Sequence, residues 1–411
     1  MTLVQRTQVG IIGAGPAGLV LSLLLTRAGI DSIVIDGRSR AEIESTVRAG
    51  ILEQGVADLL TEIAPGTRVL TEGQRHDGIE LHFDGAGHRI DFAGLIGRSV
   101  WLYPQHEVLI DLVAAHLAGG AGLHFGVTAS AVVDADTDRP RIIGTDADGG
   151  AFEIEADFVV GADGSRSVAR VAVTGSRDAG HVRDYPFAWL GLFCEAPPSA
   201  PELIYSTSEE GFALISQRSE TLQRMYLQCD PGFDPSSLSE AQIWDSLQSR
   251  VPGTTLIEGP ILTRDVLRFR TFVASRLRRG RVILIGDAAH TMPPTGAKGM
   301  NLAVADAQLL SEALSAEYRQ RSGGALERFE QTALRRIWRA QHFASWMTAM
   351  LHVAPGGSDL DQALRMSELR SITDSEAGRR YLAEGYTGWP LGAPGESTSP
   401  LRPELFVPEF S

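Results

Sequence analysis

The apolar run Gln8-Val9-Gly10-Ile11-Ile12 ends in Gly13-Ala14-Gly15-Pro16-Ala17-Gly18 and passes directly into a helical pattern that continues to Ala28. Gly29 stops the helix, and Asp31–Asp36 reads as a second buried strand. No other feature constrains the fold as tightly, because a strand, a glycine turn, a helix and a second strand in this order make a βαβ opening. The three glycines have separate tasks: one makes the tight turn, one lets backbone approach a pyrophosphate, and one lets the helix pack closely on the strand. The helix N-terminus supplies N–H groups and the positive end of a dipole to that anion. Asp36 sits at the end of the second strand, where a carboxylate holds a ribose hydroxyl. Gly13, Gly15, Gly18 and Asp36 therefore form a dinucleotide site, and alone they do not separate FAD from NAD.

Two later apolar strands also end in Gly/Asp turns: Phe158-Val159-Val160-Gly161 before Ala162-Asp163-Gly164, and Val282-Ile283-Leu284-Ile285 before Gly286-Asp287. Strands apolar on both faces belong in a covered parallel sheet, whose C-terminal ends line the ligand crevice. Residues 74–100 and 183–270 instead alternate in short segments and predict an antiparallel sheet. After Asn301, Leu302, Ala305, Leu309 and Ala313 recur at helical spacing, and helical patterning runs with breaks to about Glu384. The expected fold is mixed α/β: a Rossmann-like nucleotide-binding domain with a parallel sheet, an antiparallel-sheet substrate domain, and a C-terminal helical region. The expected boundaries are 1–73, 98–182 and 271–345 for the first, 74–97 and 183–270 for the second, and 346–390 for the third. Residues 391–411, rich in Pro, Gly and Ser, read as a poorly ordered tail.

A net charge of −14 argues against a nucleic-acid partner, since phosphate binding needs a basic surface. No apolar run reaches membrane-spanning length, and residues 1–6 lead into a strand rather than a signal peptide, so a cytoplasmic location is expected. Cys194 and Cys229 lie in apolar or strand-like runs and read as buried packing thiols. No metal is expected.

The turn at Gly286 opens a loop running through Pro293, Pro294, Thr295 and Lys298 to Gly299-Met300-Asn301, ahead of a long helix. Such a loop suits a planar electron-accepting ring laid against backbone N–H groups and a helix dipole. The three elements, in this order and at this spacing, resemble the class A flavoprotein aromatic monooxygenases. The resemblance implies that the cofactor is FAD, its ADP part on the first turn and its ribityl chain at Asp287. Gly299, Met300 and Asn301 would lie beside the flavin, and Arg48 and Gln105 match further FAD contacts. Asp163 and Gly164 would serve both FAD and the nicotinamide nucleotide that reduces it.

Three candidate strands fall at Glu202–Ser206, Phe212–Gln217 and Gln223–Cys229. Alternation puts Leu214, Ser216 and Arg218 on one face if the second strand runs through Arg218, and Arg224, Tyr226 and Gln228 on one face of the third. Ser, Arg and Tyr converging there would make a carboxylate receptor; a solvated strand face with a surface arginine fits the pattern equally. The runs Leu203-Ile204-Tyr205, Gly211-Phe212-Ala213-Leu214, Ser216-Gln217-Arg218-Ser219 and Arg224-Met225-Tyr226 resemble the branch of the family acting on 4-hydroxybenzoate. So do Arg48–Gly55, Tyr185–Leu192, Pro293–Asn301 and Glu384–Pro390.

That resemblance implies 3-hydroxylation of 4-hydroxybenzoate to 3,4-dihydroxybenzoate through a flavin hydroperoxide, with O2 and NADH or NADPH consumed, by a homodimer. Ser216, Arg218 and Tyr226 would hold the carboxylate. Tyr205 would bond the phenol oxygen, Tyr386 would pass its proton through water towards His76, and Pro294 with Thr295 would complete the hydroxyl end. Arg224 matches a residue near the flavin that influences its movement and reduction. The residue types suit the chemistry: electrophilic attack needs an electron-rich ring, a phenol ionises only near pH ~10, and a histidine offers its proton an exit near neutrality. A hydroxylase of 4-aminobenzoate or a dihydroxybenzoate, and a flavin-binding sensor without turnover, are the competing readings.

One segment departs from the family pattern. NADPH-using members carry Arg, Tyr and Arg where this chain has Gly37, Glu42 and Thr46, and Glu44 adds further negative charge. These changes oppose a 2′-phosphate, whereas Arg38 and Arg40 favour one, so NADH preference or dual use is expected. Arg166 and Arg270 are the candidates for the nucleotide's pyrophosphate. Met225 replaces a common Tyr, an exchange expected to adjust pocket packing.

Overall fold

The computed structural model describes residues 3–46, 50–120, 122–320 and 324–391. Leu3–Ile12 lies inside a sheet with Ala151–Gly161 and Ser32–Asp36 parallel on its two sides, and Val282–Leu284 and Gly122–Phe125 continue it outward in the same sense. Val9, Ile11, Val34, Val159 and Ile283 are fully buried, as strands covered on both faces require. Pro16–Arg27 packs against the long helix Gly299–Gln320, which brings the first glycine turn beside the Gly286 turn. The strands Thr128–Val133 and Arg141–Thr145 join the edge of Ala151–Gly161 antiparallel, with a bulge at Ile143/Gly144.

The second sheet has eight strands, in the order His290–Thr291, Ile261–Ala274, Gly180–Cys194, Gln223–Cys229, Gly211–Gln217, Ile204–Ser208, Gly78–Phe83, Ala86–Asp91. Neighbours are antiparallel except Ile204–Ser208 and Gly78–Phe83. Strict alternation gives the sheet two cores. Trp189, Tyr205, Phe212, Tyr226 and Phe269 pack with Phe343, Met347 and Tyr386 of the C-terminal helices. Leu192, Ile215, Met225 and Leu227 pack instead on Ile243, Trp244 and Leu247 of the helix Glu240–Arg250. Met225 thus lies on the face away from the candidate pocket, and the pocket-packing role expected of it does not hold.

Gln74–His76 does not join this sheet. It pairs with Val100–Leu102, which also pairs with Ile51–Glu53. Asp77 pinches the chain between the two sheets, accepting from Ser99 Oγ at 2.6 Å and Arg75 Nε at 2.8 Å. The C-terminal region comprises the helices Gly324–Leu351, Asp359–Thr373 and Glu376–Thr387. The expected tail, residues 391–411, lies outside the described residues except for Leu391. Cys194 and Cys229 are both free thiols whose pKa burial pushes up, to about 12 and about 11. Among the described residues no helix is long and apolar enough to cross a membrane.

Candidate active site

The first turn divides the work of its glycines as their surroundings dictate. A Cβ on Gly18 would stand 2.0 Å from the Gly13 carbonyl oxygen, and one on Gly13, at φ +109°, would stand 2.3 Å from that of Ala162. Both positions are closed to any side chain. Gly15, the N-cap of the helix Pro16–Arg27, has nothing within 4 Å of a Cβ and no side-chain cap, leaving its surroundings open to an anion. Asp36 accepts from Ala14 N–H at 2.9 Å and from the Arg38 backbone and guanidinium at 2.8–3.0 Å. Burial raises its pKa, but these bonds outweigh that and hold the carboxyl below its ordinary range. A ribose hydroxyl would displace part of the Arg38 contact, because the carboxylate already receives four donors.

The second and third turns are fastened to each other by a residue that no sequence pattern marked. Arg170, 3% exposed, donates to the Ala288 and Asp287 carbonyls (2.7 and 2.9 Å) and to those of Ser165 and Arg177 (both 3.0 Å). Asp306 accepts from Gly286 N–H at 3.0 Å and pairs with His290 at 2.7 Å, fixing the Gly286 turn to the long helix. Asp163 caps the helix Val168–Thr174 through Val168 N–H at 2.7 Å, while its Oδ1 is buried without a partner and burial raises its pKa. Gly164 (φ +76°) and Gly299 face open space where a Cβ would be. Asn301 spends its side chain on the protein, accepting from Glu53 N–H and donating to the Ile51 and Ala297 carbonyls. Met300 and Gln105 are half-buried, Gln105 opening the helix Gln105–Gly119. Arg48 lies outside the described residues. A cradle of glycines, an acid at the second strand and an orphaned carboxylate oxygen beside the turn together fit an extended dinucleotide such as FAD.

Three of the four arginines expected at the nicotinamide nucleotide are held by acids. Arg38 is paired with Asp36, Arg40 with Glu44 at 2.6 Å, and Arg270 with Asp184 at 2.7 Å. Only Arg166 is exposed with no hydrogen bond or ion pair among the described residues. Glu42 completes a capping box with Ser39. Gly37 packs on Thr128: a Cβ there would stand 2.7 Å from Thr128 Oγ1, so an arginine would need the Thr128 hydroxyl to turn away.

The second sheet supplies a pocket face. Tyr205 is directly opposite Leu214, Leu214 opposite Tyr226, and Tyr226 opposite Gly191, so their side chains share one side. Ser216 and Arg224, also paired, lie on the same side. The middle strand ends at Gln217 rather than continuing through Arg218, which begins a turn closed by Arg218 N–H to the Leu222 carbonyl. Its guanidinium still interacts with Tyr226, and burial lowers its pKa, with no acid paired to it among the described residues. Arg218 Nε is buried without a partner, and Ser216 Oγ makes only a 3.4 Å contact with the Gln217 carbonyl. Donors without acceptors, in a buried place, call for an anion.

At the other end the Tyr205 and Tyr386 hydroxyls are 2.7 Å apart, both side chains 1% exposed. Burial raises the pKa of both phenols. Lys298, 2% exposed, donates to the Tyr386 carbonyl at 2.7 Å and is paired with Glu53, so a buried cation supports the second tyrosine. Lys298 and Glu53 were not singled out from the sequence, although a lysine inside the glycine-rich loop was a visible signal. The Pro294 carbonyl accepts from Ala297 N–H at 2.9 Å and keeps a second lone pair. Thr295 Oγ1 lies 2.9 Å from Thr348 Oγ1, whose hydroxyl has the Thr295 oxygen and the Ala344 carbonyl (2.7 Å) as its two acceptors.

His76 differs from expectation. Burial pushes its pKa down to about 4, and its Nδ1 is enclosed without a partner, so the imidazole is neutral at pH 7 and titrates well below neutrality. His352, donating to the Thr348 carbonyl and accepting from Trp189 Nε1, is pushed down to about 3. Both folded-state values lie below the ordinary value of 6.5, so their contribution is complete above that pH and is lost as pH falls through it towards 4 and 3. Denaturation midpoints are expected to fall between pH 7 and pH 4.5, His76 alone accounting for on the order of 3 kcal/mol once fully protonated. Chemical denaturation across that range reads this, and a flat profile would contradict neutral burial.

A flavin cradle in a Rossmann-like sheet, opening on an antiparallel sheet with a buried tyrosine pair, defines a flavin-dependent hydroxylase. The chain belongs to the class A flavoprotein aromatic hydroxylases: the family described as "FAD binding domain" matches residues 6–344. It is 39% identical to the p-hydroxybenzoate hydroxylase of Acinetobacter baylyi, over 94% of this chain and 96% of that protein. The 6-methylpretetramide 4-monooxygenase of Streptomyces rimosus is 30% identical, over 74% of this chain and 73% of its own. Among solved structures, p-nitrophenol 4-monooxygenase from Pseudomonas putida shares the fold with a TM-score of 0.78 at 19% identity, covering 93% of this chain and 99% of that one.

Proposed function

We propose that this hydroxylase acts on 4-hydroxybenzoate at ring carbon 3, forming 3,4-dihydroxybenzoate with O2 and a nicotinamide nucleotide. The observation that carries this is the pairing of an uncompensated Arg218 with a buried Tyr205–Tyr386 hydroxyl pair on one sheet face. Tyr205 and Tyr226 stand two strands apart, about 10 Å between backbones at the usual strand spacing, which is room for one benzene ring with a polar group at each end. The likeness to the Acinetobacter baylyi hydroxylase points to the same substrate.

FAD, when bound, supplies the redox chemistry that activates O2 and delivers one of its atoms to the ring. Gly13, Gly15, Gly18, Asp36, Asp163, Asp287 and the Gly299–Asn301 segment would hold it. Arg218, with Ser216 and Tyr226, takes the carboxylate. Tyr205 takes the substrate's phenolic proton as it passes its own to Tyr386, and its hydroxyl then donates to the substrate oxygen, which favours the electron-rich phenolate. The proton received by Tyr386 leaves through water by way of the neutral ring of His76, which relays it without storing it. Pro294 offers a carbonyl acceptor to the substrate hydroxyl.

NADH is the expected reductant, or both nucleotides are used. This reading is supported by the engagement of Arg38 and Arg40 with acids. Steady-state kinetics should give kcat/KM for NADH at least equal to that for NADPH, and a strong NADPH preference overturns this part. In the same assay, 4-hydroxybenzoate should give both nucleotide oxidation and hydroxylated product. If 4-aminobenzoate or a dihydroxybenzoate is turned over more efficiently, the substrate assignment moves to it. A homodimer belongs to the proposal: Leu360 and Leu364, one turn apart on the helix Asp359–Thr373, are 66% and 60% exposed. Sedimentation velocity should return twice the chain mass, and a monomer at micromolar concentration would contradict it.

A further inference from the structure

The pocket face carries a second guanidinium. Arg224 lies over the Tyr226 ring, 5.3 Å from its centroid, and its side chain is 12% exposed with Nε buried and unpartnered. Arg218 interacts with the same tyrosine, and the field of Arg224 works against its charge. The acid paired with Arg224 is Asp265, Oδ1 3.5 Å from NH2, on the far strand Ile261–Ala274. Asp265 is directly opposite Gly191, and Gly191 directly opposite Tyr226. With no side chain on the intervening strand, the carboxylate lies over Gly191, where a Cβ would come within 3.2–3.3 Å of its oxygens. The glycine is a lane through which an acid two strands away reaches the pocket's arginine.

We infer that Asp265 is a positioning residue that holds and neutralises Arg224 across Gly191, leaving Arg218 as the guanidinium of this sheet face with no acid among the described residues and so fixing the pocket for one carboxylate. This rests on the pocket proposed above. Asp265 is half exposed, so the pair is screened and its effect is modest: removing the acid should favour a dianionic ligand over a monoanionic one by about fivefold. A change in fold quality would weaken both ligands together, whereas loss of the pair alters their ratio.

The test measures dissociation constants of 4-hydroxybenzoate and 4-hydroxyphthalate from the absorbance of the bound flavin in holoenzyme. Asp265→Asn should shift the ratio towards 4-hydroxyphthalate by about fivefold. Asp265→Glu should keep the wild-type ratio. In an Arg224→Gln background, Asp265→Asn should have no further effect, since the two act as one unit. An unchanged ratio in Asp265→Asn, or the same shift with Arg224 absent, overturns the inference while leaving the pocket intact. A wild type that binds neither acid overturns the pocket and this inference with it.

Discussion

Replacing Tyr205 by Phe is expected to lower hydroxylation of 4-hydroxybenzoate by about a hundredfold or more, the usual scale for a lost proton-handling group. Substrate binding should weaken by far less, because the proposed carboxylate contacts lie elsewhere: Ser216 at the end of the adjacent strand, Arg218 in the turn that follows it, and Tyr226 on the strand beyond. The substitution removes one hydroxyl of a 2.7 Å pair and leaves that of Tyr386 buried alone, a cost to stability of about 1–3 kcal/mol. The two effects can be told apart. A stability loss lowers the amount of folded enzyme, whereas loss of phenolate activation lowers turnover per flavin bound. Single-turnover product formation, normalised to bound FAD and compared with the substrate dissociation constant, makes the distinction. A proportional fall in both quantities would contradict the proposed role.

Arg218→Gln should act at the other end with the opposite signature. Removing the charge that meets a buried carboxylate typically costs about 2–5 kcal/mol, a weakening of roughly thirtyfold to several thousandfold in the dissociation constant. The ligand-free protein should not suffer equally. Arg218 is buried without an acid, so burial already disfavours its charge, and a neutral side chain of similar length relieves that. The wild type should gain thermal stability when 4-hydroxybenzoate is added, and the variant should lose that gain while its ligand-free melting temperature holds or rises. A variant that melts lower in the absence of ligand and still responds to substrate would show that Arg218 serves the fold.

What could be read from the sequence was what is local in the chain. Gly13, Gly15 and Gly18 fall within one turn, and the reasons for each are contacts with Ala162, open space and Gly13 itself. Strand alternation likewise put Ser216 on one face of its strand and Arg224 with Tyr226 on one face of theirs, but only the pairing of the two strands shows that these faces coincide. The pairing of Tyr205 with Tyr386, 181 residues apart, has no local signature and came only through resemblance. Arg170 carried no signal at all: its four carbonyl acceptors lie on turns brought together by the sheet. Charge is not legible where burial or a partner decides it. The burial that lowers the pKa of His76, and the acids Asp36, Glu44 and Asp184 that pair with Arg38, Arg40 and Arg270, lie outside what the local sequence displays. Asp265 was passed over because only the strand order places it two strands from Tyr226.

The most direct measurement is the mass of the product formed under 18O2. With FAD-loaded protein, NADH and 4-hydroxybenzoate, the account requires 3,4-dihydroxybenzoate carrying one 18O, in the hydroxyl at ring carbon 3, in near-equal amount to the nucleotide oxidised. Nucleotide oxidation without labelled 3,4-dihydroxybenzoate, or hydroxylation at another ring position, would contradict it.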